Sequence, residues 1–367
     1  MATRPKGGHR ARLYGWRIVA AFAVTQTVGY GALYYSFAVL LHPMTVDLHA
    51  SPTQVTGAFT AAILAWAVVA VPVGRWLDRH GGRAVMTCGS LLGTGLLIAW
   101  SQVRTITQLY AVLIGLGGCM AMALYEAATA VIVSWFDPER RPRALLAMIV
   151  VAGFASTIFL PLTGLLVDHH GRRDALLVLA AIHGMITIPL HGLVVRGPPP
   201  HHATTRQSTA AGRGLVVRAA LRDSRCWFLA AAFVAHSAAM SAMTLHLVGF
   251  LTHAGHPATF AATIAGLLGV LSVTGRLLLT GARRRIRLTT LVAGIFGVQA
   301  AAAICPPFIA ATRVGAVAGV TAFGDRVRCG QFRRTRDARR PGTAPSATPP
   351  SPASSPPPSP SPKPARP

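Results

Sequence analysis

Acidic residues are scarce in this chain, which has ten aspartates and glutamates against 35 lysines and arginines and a formal net charge of +25. Cysteines are few as well, and the five present are scattered without metal-ligand spacing. The sequence also lacks a nucleotide-binding motif and a Ser or Cys nucleophile with a positioned base. We therefore predict no disulfide, no metal, no cofactor and no enzymatic activity, and any pumping must use an ion or substrate gradient.

Long apolar runs dominate what is present, since 52% of the residues are hydrophobic and only 12% are charged. The basic residues lie between these runs rather than on one face, which argues against a nucleic-acid partner. An α-helix needs about 20 apolar residues to cross about 30 Å of hydrocarbon. We predict an all-α integral membrane protein in a lipid bilayer, with nine spanning segments at 18–41, 55–73, 84–103, 109–136, 144–167, 175–195, 226–251, 260–280 and 288–311.

The basic residues between the runs predict the orientation of the chain. If the N-terminus is cytoplasmic, the inside segments contain 21 lysines and arginines and the outside loops contain four. This asymmetry predicts a multi-pass protein of the plasma (inner) membrane with a cytoplasmic N-terminus. The first apolar run is too long for the core of a signal peptide, so we expect it to remain as helix one.

The most informative stretch separates the second and third runs, at residues 74–83, Gly-Arg-Trp-Leu-Asp-Arg-His-Gly-Gly-Arg. We call it segment A and expect a tight loop at a membrane face. Its glycines permit a sharp turn, and its acid suits a helix end or an arginine partner. A generic basic anchoring loop is the alternative. The candidate gating residues are Gly74, Arg75, Asp78, Arg79, Gly81 and Arg83.

The spacing Gly-x-x-x-Asp-Arg-x-Gly-x-Arg in segment A resembles the loop between helices two and three of the major facilitator superfamily of secondary transporters. Residues 164–173, which we call segment B, repeat much of this spacing after helix five. We interpret helices one to three and four to six as inverted copies. A weaker echo at Gly275-Arg276 follows helix eight, where no acid equivalent to Asp78 is present.

These patterns predict five parts of the chain. They are a cytoplasmic N-terminus at 1–17, a six-helix bundle at 18–195, a cytoplasmic central loop at 196–225, a partial second bundle of three helices plus a stub at 226–323, and a basic Pro-rich tail at 324–367. The tail suits three interpretations: a disordered lipid-binding tail, a nucleic-acid arm or a frameshifted translation. Its Arg, Pro, Ala, Ser and Gly content favours the frameshift, and on that interpretation we expect a transporter truncated after about nine helices.

A second resemblance narrows the family. Residues 135–144, with Gly153, Pro161 and Gly171-Arg172-Arg173, are similar to the helix four to helix six region of the monocarboxylate porter and oxalate/formate antiporter branch. The resemblance extends over about residues 14–300 and implies carriage of small organic anions by alternating access. Two departures argue against proton-coupled lactate transport: Tyr34 stands where animal members have a lysine, and Ser272 stands where the branch has an aspartate.

Ionisable and hydroxyl-bearing residues within the spans supply the candidate substrate and coupling sites, because such groups are costly in hydrocarbon. Arg276 would hold a substrate carboxylate in a bidentate pair or instead extend to the headgroups. Glu126, the one carboxylate deep in a predicted span, would carry a proton or pair with a neighbouring helix. His246 would relay a proton or pack, and Tyr30 and Tyr34 would line a cavity or pack.

The function predicted from the sequence is secondary active transport of a small solute, with an organic anion such as a monocarboxylate as the first choice. A co-transported proton is a further expected partner. Two alternatives stay open at this point: a non-transporting truncated membrane remnant, and an efflux carrier of the same fold for drugs or metabolites.

Overall fold

A computed structural model of the chain describes residues 7–197 and isolated positions between 222 and 265. Every regular element in this described part is helical, as predicted. The elements are α1 (Gly7–Gly29), a π-helical stretch (Tyr30–Tyr35), α2 (Ser36–Asp47), α3 (Pro52–His80), α4 (Arg83–Ser101), α5 (Ile106–Ala123), α6 (Tyr125–Trp135), α7 (Arg141–Ala152), α8 (Ala155–Pro189) and a second π-helical stretch (Leu190–Val194).

Four helical runs in the described residues are long and apolar enough to cross a membrane: Pro52–His80, Arg83–Ser101, Ile106–Trp135 and Arg141–Val194. The last of these reverses direction at Gly171, whose φ of 75° and ψ of 174° lie outside the helical region. Together with the run from α1 to α2, these helices occupy the positions of the first six predicted spans. The three later predicted spans, the central loop and the tail lie outside the described residues, apart from isolated positions.

Local capping explains where the helices begin on the face opposite the N-terminus. Ser51 accepts a hydrogen bond from the backbone N–H of Gln54, and the Gln54 side chain accepts one from the backbone N–H of Ser51. This capping box, with Pro52 in the first turn, fixes the start of α3. Thr105 caps α5 in a similar way by accepting from Gln108.

Small residues bring the long helices together. A Cβ at Gly117 would collide with the backbone of Ala62, so α3 and α5 pack in direct backbone contact there. Gly117 belongs to the sequence Gly115-Leu-Gly117-Gly118, and this contact makes it part of a helix-packing face. Gly118 has no neighbour within 4 Å of an added Cβ, so it does not belong to that face.

Within the described residues the buried apolar side chains form two clusters, one nearer the N-terminal ends of the bundle and one nearer the opposite end. Phe37, Phe59 and Trp100 stack near the face opposite the N-terminus. Phe22 and Met86 belong to the second cluster, toward the N-terminal face. Outside these clusters α3 exposes Leu64, Val68 and Val71, at the i, i+4, i+7 spacing of one helix face, which suits contact with an apolar environment.

Candidate functional site

The first spanning helix is distorted midway along its length. Its π-helical stretch, Tyr30–Tyr35, contains the three tyrosines of the helix centre. A π-helical turn inserts an extra residue per turn and is frequent at functional sites. A Cβ at Gly31 would collide with the ring of Phe159 on α8, so the distorted stretch lies tight against the fifth spanning segment. The distortion places Tyr30 and Tyr34 side by side, with ring centroids 6.1 Å apart.

The fourth spanning helix is broken at a position that lies close in space to the distorted part of the first helix. Leu124 has φ of −89° and ψ of −160°, which is extended backbone, and it separates α5 from α6. The sequence predicted a span at 109–136, and residues Ile106–Trp135 form one run long enough to cross a membrane, with this break inside it. Glu126 was expected in mid-helix, but it lies in the first turn of α6. A carboxylate is favourable there because the N-terminus of a helix carries a partial positive charge.

The two distortions meet in a cluster of aromatic rings. The Tyr30 and Tyr125 ring centroids are 4.5 Å apart, and Tyr30 and Trp66 are 6.2 Å apart. Trp66, at the middle of α3, lies beside the Glu126 carboxylate and within reach to donate a hydrogen bond to it. Tyr34 packs edge-on against Phe59 on the same helix α3. Spanning helices one, two and four therefore supply this cluster, which we call the midplane site.

The midplane site leaves its carboxylate accessible. Glu126 is exposed, while Tyr30, Tyr34, Tyr125 and Trp66 are partly buried. Tyr30 packs against one apolar cluster and Tyr125 against the other, so the site occupies the boundary between the two cores. An exposed carboxylate surrounded by ring faces and hydroxyl groups can take up a proton, accept hydrogen bonds or attract a cation.

Two predicted site residues lie in the second half of the chain. Arg276 and His246 lie outside the described residues. The structure therefore brings together Glu126, Tyr30 and Tyr34 but leaves the anion-binding candidate unplaced. Within the described ranges, no group of three His, Cys, Asp or Glu side chains is close enough to hold a metal ion.

Segment A is more helical than the sequence predicted. We expected a ten-residue loop, but α3 continues to His80 and α4 begins at Arg83, so only Gly81 and Gly82 separate the two helices. The basic residues Arg79 and His80 end α3, where positive charge is favourable at a helix C-terminus. The gating candidates Gly74, Arg75, Asp78, Arg79 and Arg83 consequently lie in helices around this turn, and all except Gly74 are exposed.

Segment B has the same turn at the opposite face. Gly171 (φ 75°, ψ 174°) and Gly81 (φ 81°, ψ 177°) have nearly the same backbone angles. Arg172 follows it and is buried, with its Nε 2.8 Å from the Asp47 carboxylate at the end of α2. Its two terminal nitrogens lie 3.4 Å from the carbonyl oxygens of Trp100 and Val103. Arg172 thus joins the ends of three spanning segments.

Sequence reasoning missed a buried polar network on the sixth spanning segment. His191 lies between two hydroxyl groups, with Nδ1 2.7 Å from Ser90 Oγ and Nε2 3.0 Å from Thr25 Oγ1. His183, two turns earlier, lies 2.9 Å from Thr94 Oγ1. Both histidines are 1% exposed. Two histidines eight residues apart in an apolar run were the available signal, since that spacing places both on one helix face.

Comparison with known sequences gives one family and several partial relatives. Residues 22–324 match the Major Facilitator Superfamily. An uncharacterized transporter of Bacillus subtilis is 24% identical over 222 residues, 56% of this chain and 50% of that protein. Human monocarboxylate transporter 11 is 31% identical over 224 residues, 59% of this chain and 45% of the relative. An MFS-type efflux pump of Mycolicibacterium smegmatis is 30% identical over 183 residues, 49% and 42% of the two chains.

The chain spans about half the length of these curated relatives. Among solved structures, a bacterial homolog of the human lysosomal transporter Spinster aligns with a TM-score of 0.63 and 16% identity, covering 90% of this chain and 74% of that one. The xylose transporter XylE from E. coli aligns with a TM-score of 0.60 and 13% identity, covering 89% and 88%. At these identities the structural likeness shows the shared fold.

Proposed function

Because the chain belongs to the Major Facilitator Superfamily, we propose that it carries a small organic solute across a membrane by alternating access, with the midplane site as the place where solute or coupling ion binds. The single observation that carries this proposal is the meeting of two helix distortions, at Tyr30–Tyr35 and at Leu124, around the exposed Glu126. Interrupted helices near the bilayer midplane are where transporters place their binding sites.

The organic anion is our first choice of substrate, with Glu126 as the carrier of a co-transported proton. Three relatives with about 30% identity are named monocarboxylate transporters. An anion that enters with a proton crosses the midplane as a neutral pair, and a carboxylate is the ordinary acceptor for that proton. In this proposal Arg276, from residues that the structure does not describe, would pair with the substrate carboxylate.

The distribution of basic residues supports a proposal for the topology. We propose that the N-terminus and segment A face the cytoplasm and that segment B faces the outside of a plasma membrane. In this proposal residues 18–195 form the first bundle, residues 196–225 a cytoplasmic connection and residues 226–323 helices of a second bundle. Segment A would then meet the second bundle at the cytoplasmic side, and its exposed Asp78 and Arg79 would act in gating.

The test is uptake of radiolabelled monocarboxylates and oxalate into proteoliposomes that contain the purified chain. An inward proton gradient should accelerate uptake by the unmodified protein. The variant Glu126→Gln, which keeps the shape but takes up no proton, should lower gradient-driven uptake about tenfold, the change that corresponds to about 1.4 kcal/mol. Exchange of labelled for unlabelled substrate across the membrane should survive in this variant.

The matched control is Glu139→Gln, which alters an exposed acid in the connection between α6 and α7. This variant should transport like the unmodified protein. Equal gradient-driven uptake by E126Q and E139Q would refute the role given to Glu126. Absence of uptake for every anion, with intact protein in the vesicles, would refute the substrate class.

A second candidate is export of a cationic compound, and the chemistry of the midplane site favours it specifically. The faces of aromatic rings attract cations, and Tyr30, Tyr125 and Trp66 surround a carboxylate. One relative is named an efflux pump. In this case E126Q should abolish binding of a quaternary ammonium probe to the purified protein, while anion uptake would be absent in both forms.

A further inference from the structure

The break in the fourth spanning helix has a polar partner on the first helix. Gln26 is fully buried in α1, one turn before the π-helical stretch. Its Nε2 donates a hydrogen bond of 2.8 Å to the carbonyl oxygen of Ala123, the last residue of α5. Burying an amide side chain is costly in an apolar interior unless it forms such a bond. The position of this buried amide therefore needs an explanation, and the bond to Ala123 provides one.

The acceptor identifies what the bond does. In a continuous helix the Ala123 carbonyl would accept from the backbone N–H of Ala127, four residues later. The extended conformation of Leu124 removes that partner, and the Gln26 amide replaces it. A buried carbonyl left without a donor costs about 1–3 kcal/mol. Gln26 consequently stabilises the broken form of the helix relative to the continuous one.

Packing around this bond ties the two distortions to each other. A Cβ at Gly29 would lie 2.8 Å from the Leu124 side chain, so α1 and the break are in close contact. Gln26 lies four residues before Tyr30, and the Ala123 carbonyl lies three residues before Glu126. The same contact therefore fixes the start of α6 and the Tyr30–Tyr125 ring pair, whose centroids are 4.5 Å apart.

We infer that Gln26 is a positioning residue, which holds the fourth helix broken at Leu124 and thereby sets Glu126 in the midplane site beside Trp66 and Tyr30. The inference deepens the proposed function, since it concerns the same carboxylate. Its structural content does not depend on the substrate. If the donor is removed, Ala123 and Ala127 can pair, α5 and α6 become continuous, and Glu126 turns away from the cluster.

The experiment measures the immediate surroundings of Glu126. Dicyclohexylcarbodiimide reacts with protonated carboxyl groups in apolar surroundings, and the modified peptide is quantified by mass spectrometry. Gln26→Met, similar in shape but without a donor, should slow the modification of Glu126 by roughly two- to tenfold, the population shift that loss of one hydrogen bond produces. Gln26→Ala is a second donor-free variant and should have the same direction of effect. E126Q gives the background.

Two controls separate positioning from general destabilisation. Thr25 is the residue next to Gln26, and its hydroxyl is bonded to His191 and not to the α5–α6 break. Thr25→Val removes this hydroxyl from a side chain that is also buried, at 1% exposed. This variant should label like the unmodified protein. Gln26→Glu, whose carboxyl donates when protonated, should restore labelling toward the original rate. Unchanged labelling in both Q26M and Q26A, or equal slowing in T25V, would overturn the inference.

Transport assays on the same variants distinguish this inference from the proposed function. Q26M should lower the maximal rate of gradient-driven uptake and leave the KM for the substrate within about twofold, because Gln26 does not reach the site itself. If no variant and no unmodified protein transports anions but labelling still depends on Gln26, the positioning role stands and the substrate proposal fails.

Discussion

Segments A and B share one backbone turn but bury different residues after it. Gly81 and Gly171 have nearly the same φ and ψ, and each ends one long helix and begins the next. The following position is buried in both, as Gly82 in segment A and Arg172 in segment B. At Gly82 the side chain of Val131 on α6 occupies the space of a Cβ. At Arg172 a long charged side chain extends to Asp47.

The difference shows what each turn holds together. At Gly82 the contact depends on shape, because α6 approaches where a side chain is missing. Segment B depends on charge and hydrogen bonds, because one guanidinium joins the ends of α2 and α4 to α8. An apolar contact between two helices can slide at little cost, whereas an ion pair with a buried arginine has a defined geometry. The Arg172 ion pair therefore constrains the ends of α2 and α8 in direction as well as distance, whereas the contact at Gly82 constrains α6 by its shape alone.

Removal of the Arg172 charge at segment B should cause the largest loss of stability among the variants that test this comparison. Arg172→Leu leaves Asp47, whose side chain is 46% exposed, without its ion-pair partner. It also removes one donor from each of the carbonyl oxygens of Trp100 and Val103, although Trp100 O still accepts from the backbone N–H of Val103. We expect a loss of about 2–3 kcal/mol, reduced from the cost of a fully buried pair because Asp47 is partly hydrated. The measurement is the unfolding midpoint of the purified protein in detergent.

The control for Arg172→Leu lies next to it in the chain. Arg173 is exposed, and Arg173→Leu should change the stability by less than about 0.5 kcal/mol. If both variants unfold at the same temperature, the ion pair with Asp47 does not hold segment B, and the contrast with segment A is lost.

An added methyl group at segment A should have a smaller effect of a different kind. Gly82→Ala places a Cβ against Val131, so we expect overpacking of about 1–2 kcal/mol. Gly74→Ala is the matched control, because nothing lies within 4 Å of a Cβ there, and alanine is the better residue inside α3. The cost of G82A should depend on residue 131. In a V131A background, G82A should lower the stability by less than it does in the unmodified protein. Additive effects would contradict the fit between Gly82 and Val131.

The sequence predicted the repeat but not this division of roles. The first six apolar runs coincide with helices in the described residues, as expected where hydrocarbon thickness sets the length of a spanning helix. The shared Gly-to-Gly spacing of segments A and B predicted equivalent turns, and the matching angles of Gly81 and Gly171 confirm that prediction. The partner of Arg172 was not predictable, since Asp47 lies 125 residues earlier in the chain and no local pattern connects them.

The midplane site was also predicted in part. Polarity within apolar runs identified Glu126, Tyr30 and Tyr34. It missed Trp66 and Gln26, because an aromatic ring or an amide within a span has many ordinary packing roles. No proline near Leu124 indicates the break in the sequence. The break is instead held by the tertiary bond from Gln26. Contacts between distant segments therefore determine the geometry that local composition cannot.

The smallest expected effect is the difference in stability between two alanine variants, which should be close to zero. It tests the backbone conformation that Gly81 and Gly171 have in common. Gly81 and Gly171 both have positive φ, and neither has a heavy atom within 4 Å of an added Cβ. Alanine at either position should therefore cost the same backbone strain, about 1–3 kcal/mol, with no packing term, because this φ/ψ region is open essentially to glycine alone. Gly81→Ala and Gly171→Ala should lower the unfolding midpoint by amounts equivalent within about 0.5 kcal/mol. A clearly larger loss at Gly171 would mean that the Arg172 bonds depend on the turn geometry, and the two segments would then differ in backbone tolerance as well as in the residue that follows the glycine.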